Sequence, residues 1–255
     1  MKEIQYNKYG WMPGIPDIRD YKFNDHFTTL EALPSSVDLR PQMPLVYDQG
    51  KLSSCTANAI GAAIQYELTK QNLPSFVPSR LFIYYNERLA RNTVALDCGA
   101  MIKDGIQSIN RQGACPEDLW PYDISKFAKK PIVKTYTIAR KHRGVKYYKV
   151  NQTEYDIKSA LAQGFPVVFG FAVYTYFESA DMARTGVLNM PGQGEQMLGG
   201  HAVLIVGYKD DTRQFIVRNS WSANWGQAGY FFMPYDYVTN SQLADDFWVI
   251  QQMSG

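Results

Sequence analysis

The spacing of apolar positions changes character midway along the chain. In the first half they recur at the period of helices. The small, apolar run after Cys55 predicts a buried helix over 56–71. Ser79, following Pro78, is placed to cap a second helix over 79–91, and Met101, Ile102, Ile106 and Ile109 trace the inner stripe of a third over 101–112. From about Val145 the texture becomes β-branched and aromatic. Strands are expected at Val145–Val150, Pro166–Val173, His201–Tyr208, Phe215–Asn219, Gly229–Met233 and Phe247–Gln251, with one helix at Glu154–Gln163 between them. Helices first and strands later predict an α+β chain of two halves, one mostly helical (about 33–123) and one antiparallel and β-rich (about 145–255), with a groove between. Residues 1–32 fit neither texture. Tyr9-Gly10-Trp11-Met12-Pro13-Gly14 and Pro16-Asp17-Ile18-Arg19-Asp20-Tyr21 read as turn-rich, aromatic chain.

Composition narrows the picture. A chain of 255 residues buries a sizeable core, and 18 tyrosines with 13 phenylalanines suit an aromatic-rich fold. The balance of 26 basic to 24 acidic side chains exerts no global pull toward nucleic acid or membrane. Residues 124–153 hold nine Lys or Arg and no acid, which reads as a solvated crossover between the halves in preference to an anion-binding surface, so no nucleic-acid partner is expected. No membrane span and no signal-peptide stretch is visible, so the compartment stays open, with a reducing environment or non-classical export favoured. The three cysteines cannot form a disulfide framework. A helix over 101–112 would separate Cys98 from Cys115 by roughly 18 Å, beyond the span of about 7 Å that a disulfide tolerates.

Three local patterns carry chemistry. Asp48-Gln49-Gly50 precedes Cys55, which opens the first predicted helix. Gly199-Gly200-His201 precedes the apolar run Ala202–Tyr208, so His201 should open a buried strand. Arg218-Asn219-Ser220-Trp221 follows the next strand. A thiol at a helix N-terminus, where orphan N–H groups and the dipole favour negative charge, beside an imidazole, loses its proton near neutral pH and becomes a nucleophile. Cys55, His201 and Asn219 thus supply a nucleophile, its general base and acid, and a group that holds the base in one tautomer. The Gln49 amide is placed to donate to a tetrahedral oxyanion alongside the Cys55 backbone N–H. Trp221 would shield the His201–Asn219 hydrogen bond from water, and Gly200 would let a substrate main chain pass closely.

From about Leu33 to near the C-terminus these patterns resemble the papain-like cysteine peptidases. The resemblance implies hydrolysis of peptide bonds in a polypeptide substrate through a Cys55 thioester, without cofactor or metal. It also implies that Leu33-Pro34-Ser35-Ser36-Val37-Asp38-Leu39-Arg40 begins the catalytic domain (33–255). Gly99 and Ala100 then become the backbone edge that holds an extended substrate. Asp245 falls near the floor of the pocket for the second residue before the scissile bond, with Asp246 the alternative in register; an acid there would favour Arg or Lys. The chain departs from the family around the nucleophile, where Leu52-Ser53-Ser54-Cys55-Thr56 stands in place of Cys-Gly-Ser/Ala-Cys-Trp/Tyr. Leu52 replaces a cysteine whose disulfide partner position falls at Asp97, so that bridge is expected to be absent. Residues 1–32 are too short to copy the long helical prosegments of the family. They either lie partly over the cleft as a self-inhibitory, zymogen-like element or pack as a belt along the body.

Two other readings remain. Another thiol acyl-transfer fold, amidase- or transglutaminase-like, shares the Cys-before-His order but not the Gln49 spacing or Asn219-Ser220-Trp221. A non-catalytic binding protein on the same fold would not be expected to keep all four polar groups. His26 and His142 lie in no metal-ligand spacing, and Gly192-Gln193-Gly194 lacks the strand-to-helix context of a phosphate loop.

Overall fold

The structure, a computed structural model, describes residues 9–143 and 145–252. The elements in chain order are β1 (Ser36–Asp38), α1 (Cys55–Lys70), α2 (Arg80–Leu89), α3 (Ile102–Gln112), α4 (Val133–Ala139), β2 (Lys146–Lys149), α5 (Glu154–Ala162), β3 (Val167–Tyr174), α6 (Ala180–Thr185), β4 (Met197–Lys209), β5 (Gln214–Arg218), β6 (Tyr230–Pro234), α7 (Tyr235–Thr239) and β7 (Ala244–Gln252). Among the described residues the strands form one seven-stranded sheet in the order β2-β7-β3-β4-β5-β6, with β1 on β4 and every pairing antiparallel. The expected α+β architecture is present, helical first half and β-rich second half included.

Local chemistry explains the helices. Thirteen residues of α1 are buried, because its small side chains let α2 and α3 pack against it on one side and the sheet on the other. Ser79 caps α2 by accepting from the Phe82 N–H. Thr153 caps α5 in the same way through the Asp156 N–H. The central strand β4 is buried from His201 to Tyr208, which its apolar side chains permit on both faces.

Three expectations need correction. His201 does not open its strand: β4 begins at Met197, because Gly199 and Gly200 pair with Val173 and Ala172 and extend the ladder backward. The basic crossover carries a helix that was not anticipated, Val133–Ala139, which buries Thr135 and Ala139 while Lys129, Lys130, Lys134, Arg140 and Lys141 stay exposed. Short helices also form at Ala180–Thr185 and Tyr235–Thr239, where no element was anticipated.

Cys55, Cys98 and Cys115 are all free thiols. The loop before the nucleophile is tied down differently: Asp97 Oδ1 accepts from the Ser53 N–H at 3.0 Å and from the Tyr84 hydroxyl at 2.6 Å. A carboxylate with two donors occupies the position where the family resemblance would put half of a disulfide.

The first described residues run across the body. Tyr21 O accepts from Lys149 N, and Phe23 (2% exposed) stacks on Phe27 and meets Phe165 edge-on. Lys103 of α3 bridges to Asp17 and Asp20. Upstream of that anchor, residues 9–12 enter the groove between the halves.

Candidate active site

Cys55 is the first residue of α1, and its sulfur accepts from the Ala202 N–H at 3.4 Å, so the helix end and β4 meet at this atom. His201 precedes Ala202 on β4. Its Nε2 lies 2.8 Å from Asn219 Oδ1. The same oxygen accepts from the Ser220 N–H at 2.8 Å, which fixes which end of the amide is oxygen. An oxygen has no proton to give, so the imidazole must carry its hydrogen on Nε2. The other ring nitrogen, Nδ1, is then an acceptor, buried and without a hydrogen-bond partner among the described residues.

Aromatic packing closes the ring in from below and beside. Trp221 lies 5.2 Å from the His201 ring centroid at 33°, and Phe171 and Phe177 approach at 5.8 and 6.2 Å. Such walls exclude water from the Nε2–Oδ1 bond and strengthen it. Asn219 and Ser220 follow β5 directly, so the sheet sets their position; Arg218, buried at its end, donates to the carbonyls of Pro44 and Leu45 and pulls in the chain that leads to Gln49.

Gln49 is fully buried. Its backbone N–H donates to Ser220 O, its Oε1 accepts from the Ser220 hydroxyl at 2.6 Å, and its Nε2 donates to Leu52 O at 2.9 Å. The turn from Gln49 to Cys55 is held by groups the sequence did not single out. Asn58 Nδ2 donates to Ser54 Oγ, which meets the Tyr122 hydroxyl at 2.5 Å, and that hydroxyl donates to Gln49 O. Arg80 donates to Asp48 O and Asn58 Oδ1 while paired with Glu117 and stacked on the Tyr122 ring.

The cleft above these residues is filled by the chain itself. The Gly10 backbone lies against Cys55, where its N–H favours the thiolate form. Gly10 O accepts from Ala100 N, Met12 N donates to Ala100 O, and Trp11 N donates to Gly200 O. The Tyr9 ring lies 6.1 Å from His201 and 6.3 Å from Trp221, and its hydroxyl donates to Glu178. The Trp11 indole occupies the space over Gly170, where any Cβ would overlap it. Gly10 itself has no room for a side chain, since a Cβ would overlap the Ser53 carbonyl; Gly99, at φ +77°, is equally constrained by Gly10 O.

The sequence-derived groups therefore converge. Gln49, Cys55, His201 and Asn219 lie around one point, and the Ala100 and Gly200 backbones hold an extended segment there, with Gly99 and Trp221 in contact. Asp245 is the exception. It faces Gly170 in the ladder and its Oδ1 accepts from Asp246 N, whereas Asp246, buried and at φ +69°, accepts from Trp11 Nε1 at 3.4 Å and Trp248 Nε1 at 2.6 Å. A shift in the β3–β7 register between Val168 and Gly170 breaks the alternation and turns Asp246 inward. Burial raises the Asp246 carboxyl above the usual range.

Under this cover the catalytic-type pair is desolvated. Burial pushes the Cys55 thiol up to about 12, partly opposed by the Ala202 and Gly10 N–H groups. It pushes His201 down to about 4, partly opposed by Asn219. Both groups are thus held neutral at ordinary pH. No cluster of three or more His, Cys, Asp or Glu able to hold a metal occurs among the described residues, and none of their helices is long and apolar enough to cross a membrane.

A buried thiol at a helix end, an imidazole of set tautomer and an orienting amide, carried by two facing halves, define a cysteine peptidase of α+β fold. The family model described as "Papain family cysteine protease" matches residues 33–249, and the chain belongs to that family. An uncharacterized peptidase C1-like protein of Acanthamoeba polyphaga mimivirus is 41% identical, over 96% of this chain and 87% of its own length. The crystal structure of xylellain, a cysteine protease from Xylella fastidiosa, is 45% identical and superposes with a TM-score of 0.88 over 96% of each chain. Digestive procathepsin L 3 of the Tenebrio molitor larval midgut, at 21% identity, shares the fold (TM-score 0.67, 92% of this chain and 76% of that one).

Proposed function

We propose that this cysteine peptidase works through Cys55 as nucleophile, His201 as general base and acid, Asn219 as the orienting group and Gln49 as an oxyanion donor, and that residues 1–32 restrain it. The cleaved chain would lie extended on Ala100 and Gly200. The thiolate attacks the scissile carbonyl carbon, Gln49 Nε2 and the Cys55 N–H face the resulting oxyanion, and the His201 imidazolium protonates the departing amine. Water then hydrolyses the thioester.

The observation that carries the restraint is the pairing of residues 10–12 with the Ala100 and Gly200 backbones, which lays the segment over the catalytic groups. The same segment excludes water from Cys55 and His201, which favours neutral thiol and imidazole over the reactive ion pair. Leu33 is the natural boundary between this restraint and the catalytic domain.

Asp246, and not Asp245, is the acid that would meet the second residue before the scissile bond, because it touches the indole occupying that subsite. A Lys or Arg in place of Trp11 would give it a charged partner.

Alkylation of the full chain by iodoacetamide, read by peptide mass, tests the reading. Cys55 should react slowly in the intact protein, quickly at mildly acidic pH when Gly10→Ala dislodges the segment, and slowly again when His201→Ala is added. Fast labelling of Cys55 without Gly10→Ala would refute the restraint, and fast labelling without His201 would refute the ion pair.

A further inference from the structure

The side of the cleft beyond His201 carries a carboxylate that the reaction above does not use. β3 ends at Tyr174 and runs into a 3-10 turn, Thr175–Glu178. Phe177 in that turn is buried, 5.1 Å from Trp221 and 5.3 Å from Phe231, which fixes the turn beside the imidazole. Glu178 is left half-buried at the rim. Its carboxylate accepts from the Tyr9 hydroxyl and forms no ion pair among the described residues. Its neighbours are otherwise engaged: Glu195 accepts from the N–H groups of Tyr176 and Gly192, and Arg184 pairs with Asp181.

Which side of Cys55 this is follows from the chemistry. The departing amine must take its proton from His201, so the residue after the scissile bond passes over the imidazole toward Trp221. Tyr9 occupies that path, in contact with both rings, whereas Trp11, Ala100 and Asp246 lie on the other side of Gly10. When Tyr9 leaves, Glu178 loses its only side-chain donor among the described residues and faces the space just vacated.

We propose that Glu178 is a specificity-determining acid of the leaving side, selecting Lys or Arg as the first residue after the scissile bond. The inference rests on residues 9–12 occupying the substrate path, but it concerns a residue and a subsite that the restraint itself does not require. A guanidinium or ammonium at the rim of an aromatic floor gains both the carboxylate and the ring faces.

The test uses the full chain with Gly10→Ala, with and without Glu178→Gln, and quenched-fluorescence peptides that differ only in Arg, norleucine or Glu after the scissile bond. With Glu178 present, kcat/KM for the Arg peptide should exceed that for norleucine by about two- to five-fold, as expected of a half-exposed ion pair. Glu178→Gln should bring the ratio to about one, and Glu178→Lys should favour the Glu peptide. Binding of the same peptides to Gly10→Ala chains that also carry Cys55→Ser reads the preference without turnover. Equal affinity for Arg and norleucine, or absence of binding, overturns the proposal. Cleavage of the norleucine peptide by Gly10→Ala is a separate reading that tracks the restraint alone.

Discussion

Asn219 Oδ1 takes two hydrogens, one from the Ser220 peptide N–H and one from His201 Nε2, each at 2.8 Å. The backbone donor decides the amide orientation, and the amide decides the tautomer. Asn219→Ala should therefore lower kcat on a peptide substrate by on the order of 10²-fold through misoriented imidazole. KM should change little, because the side chain does not reach the substrate path. Steady-state kinetics with active-site titration of Cys55 separates this from misfolding.

If residues 9–12 restrain the enzyme as proposed, Trp11 should set how strongly. Its indole rests over Gly170 and donates to Asp246. Trp11→Ala removes that burial and should raise the initial rate of the full chain on a small peptide by about 10- to 100-fold, the equivalent of roughly 1.5–3 kcal/mol of apolar contact. An unchanged rate would mean that the segment does not limit access.

Asp246 should govern the preference for the second residue before the scissile bond. In a Gly10→Ala background, substrates with Arg there should be turned over roughly ten-fold faster than substrates with Leu, and Asp246→Leu should invert the order. Because burial raises the Asp246 carboxyl, the Arg preference should grow as pH rises and the group ionises. Asp245→Asn, by contrast, should leave the ratio close to its starting value.

Glu87 offers a test of pH and stability. It is fully buried on α2, its Oε1 accepts from Thr56 at 2.6 Å, and its Oε2 has no hydrogen-bond partner among the described residues. Burial pushes its pKa up to about 8, above an unfolded value of 4.5. The folded state therefore holds a proton that the unfolded state releases, and stability from this group falls as pH rises from 4.5 toward 8. Glu87→Gln should flatten that slope: the variant should gain in Tm relative to the parent between these pH values, with the gain shrinking toward acid. Thermal melts at several pH values decide it, and parallel curves would show that Glu87 ionises at its ordinary pKa.

The elements most legible in the sequence were those whose local patterns agreed with their burial. α1, α2 and α3 fall within two residues of the predicted bounds because small or periodic apolar side chains and the Ser79 cap all point one way. α4 was not legible: Val133, Thr135 and Thr137 are β-branched, the segment follows a proline, and its helix is fixed by packing of Thr135 and Ala139. The convergence of Gln49, Cys55, His201 and Asn219 could be anticipated because they stand in three short patterns. The supporting network of Arg80, Asn58 and Tyr122 could not, since its members join only after α2 and the loop at 116–122 pack together. Asp246 was obscured by a register shift that no alternation rule can foresee. Glu178 and Tyr9 meet across 169 residues, a contact that belongs wholly to tertiary structure.

Phe23 and Phe27 are seated on Phe165 and Tyr148, while Ile15 and Ile18 between that seat and the cleft are 63% and 102% exposed. The arrangement makes occupancy of the cleft a question of molecularity. As long as the aromatic seat holds, residues 9–12, once displaced, would return to Cys55 in a first-order step, at an effective concentration that dilution does not change. A single scission in the exposed stretch between Met12 and Tyr21 would turn the same segment into a short, freely diffusing peptide, and what had been a permanent neighbour would be lost to the bulk.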